Sequence, residues 1–460
     1  MGNLHTIQSD PSQLPPSKRE KNIFKLIQFA KDPRGTLERC RDHHGDLFLL
    51  ESAVVHEKIV GFCGPEMLKQ YDEKVAQGII VREGAFPPGI IELLGNILPT
   101  LDGEIHDERK VAVMEAFSPD QLQLYKPIIY DIIEKDYQLW ANQNGQISIA
   151  LNVKKMVFKV FLAILYGVTP ADYDNTHDRF RAFVDGYIHA IPKSAKKAHP
   201  DGISSKKTIL DELIAPAIKE SQQRVANSTA IPCVLDVLIA KNQLPLDVIH
   251  EEAFHFLFAG LGGVQCLVVN TFTAEIVHSQ VAAKLHQSLE AFTATYPNPL
   301  EHLNELGYAN HFLTEVTRIY RAGPTQLFTR TTEDIEFTTA DGVFKIPKGA
   351  LAVAGLEATS THPNIWSEPM IFNPDRYAQE RDESYMRCPF SIGKQVGGRK
   401  CAGYSLAMLI LQCALVARFD YTWEMTPNQD YTLEIGSSTP MPVGHLVAVD
   451  FKRKSFTTCK

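Results

Sequence analysis

The sequence PFSIGKQVGGRKCAG, residues 389–403, decides the fold that this chain is expected to adopt. It is a glycine-rich loop that carries one cysteine, Cys401, and runs straight into an apolar helical pattern. A thiolate at the start of a helix is stabilised by the free N–H groups and the positive end of the helix dipole. Glycines such as Gly397 and Gly403 let the backbone approach a flat ligand, and Arg399 can reach an anionic edge of that ligand. The loop therefore predicts a haem iron held by the Cys401 thiolate.

The composition is that of a globular protein with enough apolar residues for a large core. Of the 460 residues, 44% are hydrophobic and 22% are charged. The net charge of −8 argues against nucleic acid as a partner. The eight cysteines are scattered without a CxxC pair, so we expect a reducing compartment and no disulfide framework. In that setting Cys401 could also be a buried free cysteine, which is the commoner state.

The first residues of the chain predict a flexible N-terminal arm, residues 1–22. They are polar and hold no apolar run long enough for a signal peptide or a membrane span. The opening sequence MGNLHT fits the short pattern for myristoylation, which would attach a lipid to Gly2. A single myristoyl chain anchors only reversibly. We therefore expect a cytoplasmic or peripheral membrane-associated protein without a transmembrane anchor.

Long helical patterns fill the middle of the chain, and the most apolar of them is residues 246–279. Gly260, Gly262 and Gly263 lie in its middle, and each costs roughly 1 kcal/mol against alanine in a helix. Either another chain segment packs closely there or a ligand lies against the helix, and the apolar character favours the ligand. The apolar, proline-punctuated residues 85–99 suit a loop over a hydrophobic ligand, with simple core packing as the alternative.

Two helical spacings bring charged residues together. His106 and Lys110 are four residues apart and share one face, which is usually solvated but could meet an anionic group. Glu315 and Arg318 are three apart, a spacing that on most helices gives only a weak surface pair. Short strand patterns follow between residues 326 and 356, so the expected class is mainly α with a small β region.

Four of these elements, taken in order, resemble the cytochrome P-450 superfamily. They are DGEIH at 102–106, EVTR at 315–318, FNPDRY at 372–377 and GGRKCAG at 397–403, and the resemblance spans roughly residues 25–455. It implies one haem-thiolate domain, residues 23–460, that folds around a buried b-type haem. Cys401 would then be the axial ligand of the iron.

The resemblance also implies roles for the charged residues. His106, Lys110 and Arg399 would meet the haem propionates. Glu315, Arg318 and Arg376 would form a buried ionic triad that supports the haem loop, and removal of one partner would leave an unpaired charge.

Two departures from the family pattern bear on function. Oxygen-activating members carry an acid and a hydroxyl residue in the long distal helix, where this chain reads AGLGG from Ala259 to Gly263. Glycine has no side chain to relay protons to bound dioxygen. In addition, Phe390 stands eleven residues before Cys401 instead of the usual seven, so four residues are inserted between Gly393 and Arg399.

Both departures are similar to the branch that acts on fatty-acid hydroperoxides: allene oxide synthases, hydroperoxide lyases, divinyl ether synthases and epoxyalcohol synthases. The resemblance implies homolytic cleavage of the O–O bond with no O2 and no redox partner. Plant members carry an asparagine where this chain has Ala259. His255 and Gln265 are the nearest polar candidates for its role, although either could simply be a satisfied helix residue.

Three other functions stay open at this point. A hydrogen-peroxide-dependent peroxygenase of this family would pair the substrate carboxylate with an arginine in the distal helix, but residues 246–279 contain none. A reductase-dependent oxidase would rely on polar groups of its own hydrophobic substrate. A non-catalytic haem sensor would bind the cofactor and turn nothing over.

Overall fold

The computed structural model of the protein is mainly helical, which confirms the predicted fold class. It describes residues 14–20, 32–52, 58–143, 145–169, 178, 200–322, 326–379, 382–434, 437 and 439–454. The α-helices are α1 (Pro33–His44), α2 (Gly64–Ala76), α3 (Pro88–Leu94), α4 (Gly103–Glu115), α5 (Pro119–Ala141), α6 (Ile149–Phe161), α7 (Pro200–Ile209), α8 (Ala215–Ala226), α9 (Val234–Lys241), α10 (Leu246–Val277), α11 (Ser279–Thr295), α12 (Tyr308–Ile319), α13 (Leu356–Ser360) and α14 (Tyr404–Arg418).

The strands form a smaller region at one side of the helices. They are β1 (Ser17–Glu20), β2 (Leu47–Ser52), β3 (Lys58–Phe62), β4 (Ile80–Val81), β5 (Ile147–Ser148), β6 (Gln326–Thr331), β7 (Ile335–Thr339), β8 (Gly342–Ile346), β9 (Leu351–Ala354), β10 (Tyr421–Met425) and β11 (Val447–Arg453). The six-stranded sheet has the order β1-β2-β3-β9-β6-β4, and β10-β11-β5 and β7-β8 form two smaller sheets. Strands β3 and β9, far apart in sequence, run parallel with Val60 opposite Ala352.

The predicted N-terminal arm is only partly described, and the described part is not an irregular coil. Ser17–Glu20 form strand β1, which pairs in parallel with β2 so that Ser17 lies opposite Leu49. The myristoylation prediction at Gly2 lies outside the described residues. The prediction of a single haem-thiolate domain over residues 23–460 stays a prediction.

Helix α10 is the central element of the fold and is the predicted apolar helix almost to the residue. It packs against α6, α11, α12 and α14. Among the described helices it alone is long and apolar enough to cross a membrane, and 72% of its most apolar window is buried inside the protein. Such burial is typical of a core helix. The main hydrophobic cluster gathers around it, with Leu261, Val268 and Phe272 among its members.

Candidate active site

A cavity of about 370 Å³ lies between the middle of α10 and the start of α14. Phe117, Phe161, Leu165 and Phe256 line it, so its wall is largely apolar. The apolar residues 85–99 were expected either to cover a ligand or to pack in the core, and they do both. Leu98 and Pro99 line the cavity, whereas Ile90, Leu93, Leu94 and Ile97 pack in the main core.

Cys401 stands on the wall of this cavity, at the end of the glycine-rich loop. Of the seven cysteines that the structure describes, six are buried and Cys401 is exposed. Its sulfur opens into the cavity and not to bulk solvent, so burial within the protein raises the pKa of the thiol. The backbone N–H groups of Gly403 and Tyr404 and the ammonium of Lys110 act in the opposite direction. Donors aimed at the sulfur suit a thiolate ligand, and the alternative of a buried core cysteine does not fit this position.

The inserted part of the haem loop, between Gly393 and Arg399, folds into a closed turn. The backbone N–H of Lys400 donates to the carbonyl of Lys394 at 3.2 Å. A Cβ at Gly398 would lie 2.5 Å from that carbonyl oxygen, so the turn requires glycine there. Gly397 faces a surface cleft on the other side of the loop and does not line the cavity. Its predicted contact with a cofactor is therefore not supported, whereas Gly403 does line the cavity.

Three predicted cations, His106, Lys110 and Arg399, meet at one end of the cavity, together with Arg82. Arg399 donates to Asp102 Oδ1 at 2.7 Å. Burial, together with the charge of the Arg399 guanidinium, lowers the pKa of His106 to about 4 and that of Lys110 to about 8. Burial, followed by the charge of Arg82, lowers the pKa of Arg399 to about 10. The positive charges of Arg82, Lys110 and Arg399 thus repel one another in a partly desolvated corner, and His106 is neutral there at pH 7.

A haem fits this arrangement, because its two propionates would supply the missing negative charge. Lys110 Nζ donates only to the neutral carbonyl of Lys400, at 2.6 Å, and Arg82 Nε is buried without a partner among the described residues. Cys401 faces the same cavity as these cations. The pattern of the sequence predicted three of the cations, but it missed Arg82, which lies in no recognisable motif and reaches this corner only through the fold.

Removal of one of these cations should weaken the retention of haem. We expect Arg399→Gln to speed haem transfer to apomyoglobin by about tenfold to hundredfold, since a hydrogen bond between charged groups contributes about 1.5–3 kcal/mol. Lys394→Gln changes an exposed lysine of the same loop that does not line the cavity, and should leave the rate unaltered. Equal rates for Arg399→Gln and the unchanged protein would contradict the propionate assignment.

The structure brings the predicted ionic triad together beneath the cavity. Arg318 donates from Nε and Nη2 to the two oxygens of Glu315 at 2.7 Å each, and Arg376 Nε lies 3.4 Å from Glu315 Oε1. Tyr377 and the backbone N–H of Asn373 also donate to Glu315, both at 2.9 Å. Glu315 and Arg318 are completely buried. Their spacing is that of a surface pair, but here it forms a fully desolvated network.

The face of α10 that borders the cavity carries His255, Ala259 and Gly263. Gly262 and Gln265, which were also predicted to act in catalysis, point elsewhere. A Cβ at Gly262 would lie 3.4 Å from the side chain of Thr439, and Gln265 Nε2 donates to the carbonyl of Lys154 at 3.0 Å. At about 100° per residue, the cavity-lining positions of α10 centre on Ala259, Gly260 and Gly263; Gln265 is turned well away from them, whereas Gly262 lies close to His255 at the edge of that face.

Gly260 and Gly263 of α10 differ in whether packing requires glycine. A Cβ at Gly260 would lie 2.5 Å from the ring of Phe161, so close packing against α6 requires glycine there. A Cβ at Gly263 would meet only Ala322, at an ordinary 3.7 Å. Gly263 therefore leaves this part of the cavity wall without a side chain, although there is room for one.

Two further buried charges were missed by the sequence reasoning. Glu252 is fully buried in α10, one turn before His255. Arg321 lines the cavity and is 3% exposed, and none of its three side-chain nitrogens has a hydrogen-bond partner among the described residues. Burial lowers the pKa of Arg321 to about 9. Glu252 lies within α10 and Arg321 just after α12, and neither position belongs to a motif that would have indicated it.

Comparison with known proteins identifies relatives over most of the chain. The family model described as cytochrome P-450 matches residues 15–436. Cytochrome P-450 26B1 of Xenopus tropicalis is 22% identical over 374 residues, which are 77% of this chain and 70% of the relative. The putative cytochrome P-450 120 of Synechocystis is 24% identical over 359 residues, 76% and 78% of the two chains.

Solved structures resemble the fold over almost its whole length. The retinoic acid bound cyanobacterial CYP120A1 has a TM-score of 0.80 and 20% identity, and the match covers 97% of this chain and 100% of the other. Cytochrome P-450EX alpha (CYP152N1) with myristic acid has a TM-score of 0.74 and 18% identity, with 96% and 100% covered. At such identities the likeness concerns the fold alone.

Proposed function

The chain belongs to the cytochrome P-450 family, and we propose that it is a haem-thiolate enzyme that rearranges or cleaves a fatty-acid hydroperoxide without O2 or a reductase. The observation that carries this proposal is the bare wall of the distal helix. Gly263 borders the cavity without a side chain, although the space would admit one. Gly262, the other position of the usual acid and hydroxyl pair, faces Thr439 instead of the cavity. A substrate that already contains an O–O bond does not need that pair.

The position of each residue in the cavity suggests its role. Cys401 would hold the iron of a b-type haem, and His106, Lys110 and Arg399 would bind its propionates. When bound, the haem supplies the one-electron chemistry that breaks an O–O bond. The apolar wall, including Phe161 of α6, excludes water and would hold an acyl chain with its peroxide group on the α10 side of the cavity, opposite Cys401.

The fatty-acyl character of the substrate rests on the cavity and on the neighbouring structures. Of the structures of similar fold, CYP152N1 was solved with myristic acid and CYP120A1 with retinoic acid bound. A third, cytochrome P-450 OleT, holds arachidonic acid, with a TM-score of 0.76, 17% identity and coverage of 96% of this chain. These are long apolar molecules with one polar end, and the largely apolar wall of the cavity would suit the chain of such a molecule.

A second candidate is the oxidation of a free fatty acid with hydrogen peroxide. The myristic acid in a similar chain favours it. Among the described residues of α10 there is no arginine to pair with a carboxylate near the iron, which weighs against it. Reductase-dependent oxidation is the third, and it lacks the proton-relaying pair in α10.

The deciding experiment mixes the purified ferric holoenzyme with a linoleate hydroperoxide in the absence of reductant. We expect the conjugated-diene absorbance to fall at several turnovers per second or more, and product identification then separates allene oxide, epoxyalcohol, divinyl ether and aldehydes. The matching hydroxy fatty acid, which lacks the O–O bond, is the control and should not react. Persistence of the absorbance contradicts the proposal. Turnover of a free fatty acid only with hydrogen peroxide, or only with an electron donor, selects the second or third candidate.

A further inference from the structure

A buried carboxylate on α10, that of Glu252, lies one turn before the cavity-lining residue His255. Glu252 is fully buried, and its Oε1 accepts from the backbone N–H of Leu98 at 2.7 Å and from Arg109 Nη1 at 3.0 Å. Its other oxygen, Oε2, lies 2.8 Å from Nδ1 of His255. Oε1 of Glu252 therefore accepts the hydrogen bonds from Leu98 and Arg109, and Oε2 contacts the imidazole of His255.

This arrangement determines which ring nitrogen of His255 carries the proton. Although burial acts to raise the pKa of Glu252, the hydrogen bonds and charges of His255 and Arg109 hold it below its ordinary value. An ionised carboxylate can only accept, so Nδ1 of His255 donates. In the neutral imidazole, Nε2 is then the bare acceptor nitrogen. It has no hydrogen-bond partner among the described residues.

The unpaired Nε2 belongs to a residue on the cavity wall. His255 lines the same cavity as Cys401, one helical turn before Ala259 and two turns before Gly263. The negative charge of Glu252 is already balanced by Arg109, so the pair needs no imidazolium for neutrality. The other titratable or charged groups on the cavity wall are Arg82, His106, Lys110, Arg321, Glu357, Cys388, Arg399 and Cys401.

We propose that His255, positioned by Glu252, is the base of this cavity and accepts the O–H proton of the peroxide. The inference deepens the proposed function and rests on it for the identity of the substrate. The O–H bond breaks, its electron pair stays on the peroxide oxygen, and the proton moves to Nε2. The imidazolium so formed faces the carboxylate of Glu252, which stabilises the new charge. Glu252 is thus a positioning residue, because it acts only through the imidazole.

The geometry explains how a distal helix with glycine at 262 and 263 can still manage a proton. A Cβ at Gly263 would lie beside Ala322, but Gly263 has none. His255 lines the same cavity two turns earlier on α10 and carries the imidazole there. Arg109 and the backbone N–H of Leu98 fix the carboxylate from outside the cavity. The substrate therefore meets only the imidazole, and the charged members of the network stay out of its way.

Hydrogen cyanide is a suitable probe, because it must lose a proton to bind a ferric haem and needs no knowledge of the substrate. We would measure its association rate with the ferric holoenzyme by stopped flow, at a pH where it is protonated. His255→Leu should slow association by about 100-fold, the scale of a positioned general base. His250→Leu, a half-buried histidine of the same helix that does not line the cavity, should leave the rate unchanged.

Glu252→Gln tests the positioning. The oxygen of the amide would stay with Leu98 and Arg109, and its NH2 group would face His255 Nδ1. That reverses the tautomer, so Nε2 becomes a donor and can no longer accept a proton. We expect cyanide association to slow as much as in His255→Leu, although the imidazole is still present. A merely structural contact would not produce this loss in protein with full haem content.

The outcomes separate the two proposals. Unchanged cyanide association in His255→Leu overturns the base, and an unchanged rate in Glu252→Gln overturns the positioning role. If the slowing is seen but the enzyme consumes no hydroperoxide, the base stands and the proposed function falls. Haem content and the reduced-CO spectrum are recorded for each variant, and His255→Gln replaces His255→Leu if the latter does not retain haem.

Discussion

Replacing Glu315 by glutamine should lower the free energy of unfolding by about 3–5 kcal/mol, the cost of breaking a buried ion pair on one side. The loss is large because Arg318 would remain completely buried with its charge uncompensated. Arg376 and Tyr377 would lose an ionised acceptor at the same time. Whole domains are stable by only about 5–15 kcal/mol, so much of the variant should unfold on mild heating. Urea denaturation and haem content are the measurements.

An exposed pair in the same protein provides the control. Lys135 and Asp131 are four apart on α5, with their atoms 2.7 Å apart and both side chains mostly exposed. Asp131→Asn should change stability by less than about 1 kcal/mol, since water already screens that pair. If Glu315→Gln were as mild as Asp131→Asn, the triad would contribute little to the fold, whatever its geometry.

The triad also illustrates how far the sequence alone could reach. The i, i+3 spacing of Glu315 and Arg318 was visible, and the family resemblance added Arg376. The strength of the contact was not visible, because it depends on burial by segments remote in the chain. Arg318 donates to the carbonyls of Ser360 and Pro369, at 3.0 and 2.7 Å, and these residues lie beyond the four strands β6 to β9. Spacing predicts which residues face each other, but the local dielectric comes from tertiary packing.

The distal helix shows the opposite limit. Its length and apolar character predicted a core helix, but helical spacing alone could not have separated Gly262 from the cavity face, because Gly262 lies seven residues, about two turns, after His255. The partner of His255 could not be inferred as a site. Glu252 matters because Leu98, 154 residues earlier, and Arg109 of α4 converge on it. Contacts between distant segments leave no periodic signal in a single sequence.

Cys401→Ala should abolish the thiolate signature of the reduced-CO spectrum and reduce hydroperoxide consumption to the rate of free haem. The sulfur is the only thiol of the described chain that is exposed at the cavity wall, and its donors are the N–H groups of Gly403 and Tyr404. Loss of the axial ligand removes the electronic character that the thiolate gives to the iron. Because the side chain opens into the cavity, the apoprotein should change in stability by no more than about 0.5 kcal/mol.

Cys388 is the matched control, since it lines the same cavity but is 3% exposed. Burial raises the pKa of its thiol to about 12, and among the described residues no backbone N–H group lowers it as Gly403 and Tyr404 do for Cys401. Cys388→Ala should keep the thiolate spectrum and full haem content. A thiolate spectrum that survived in Cys401→Ala and vanished in Cys388→Ala would transfer the ligand role to Cys388. If the thiolate spectrum survived in both variants, neither Cys401 nor Cys388 would be the ligand of the iron.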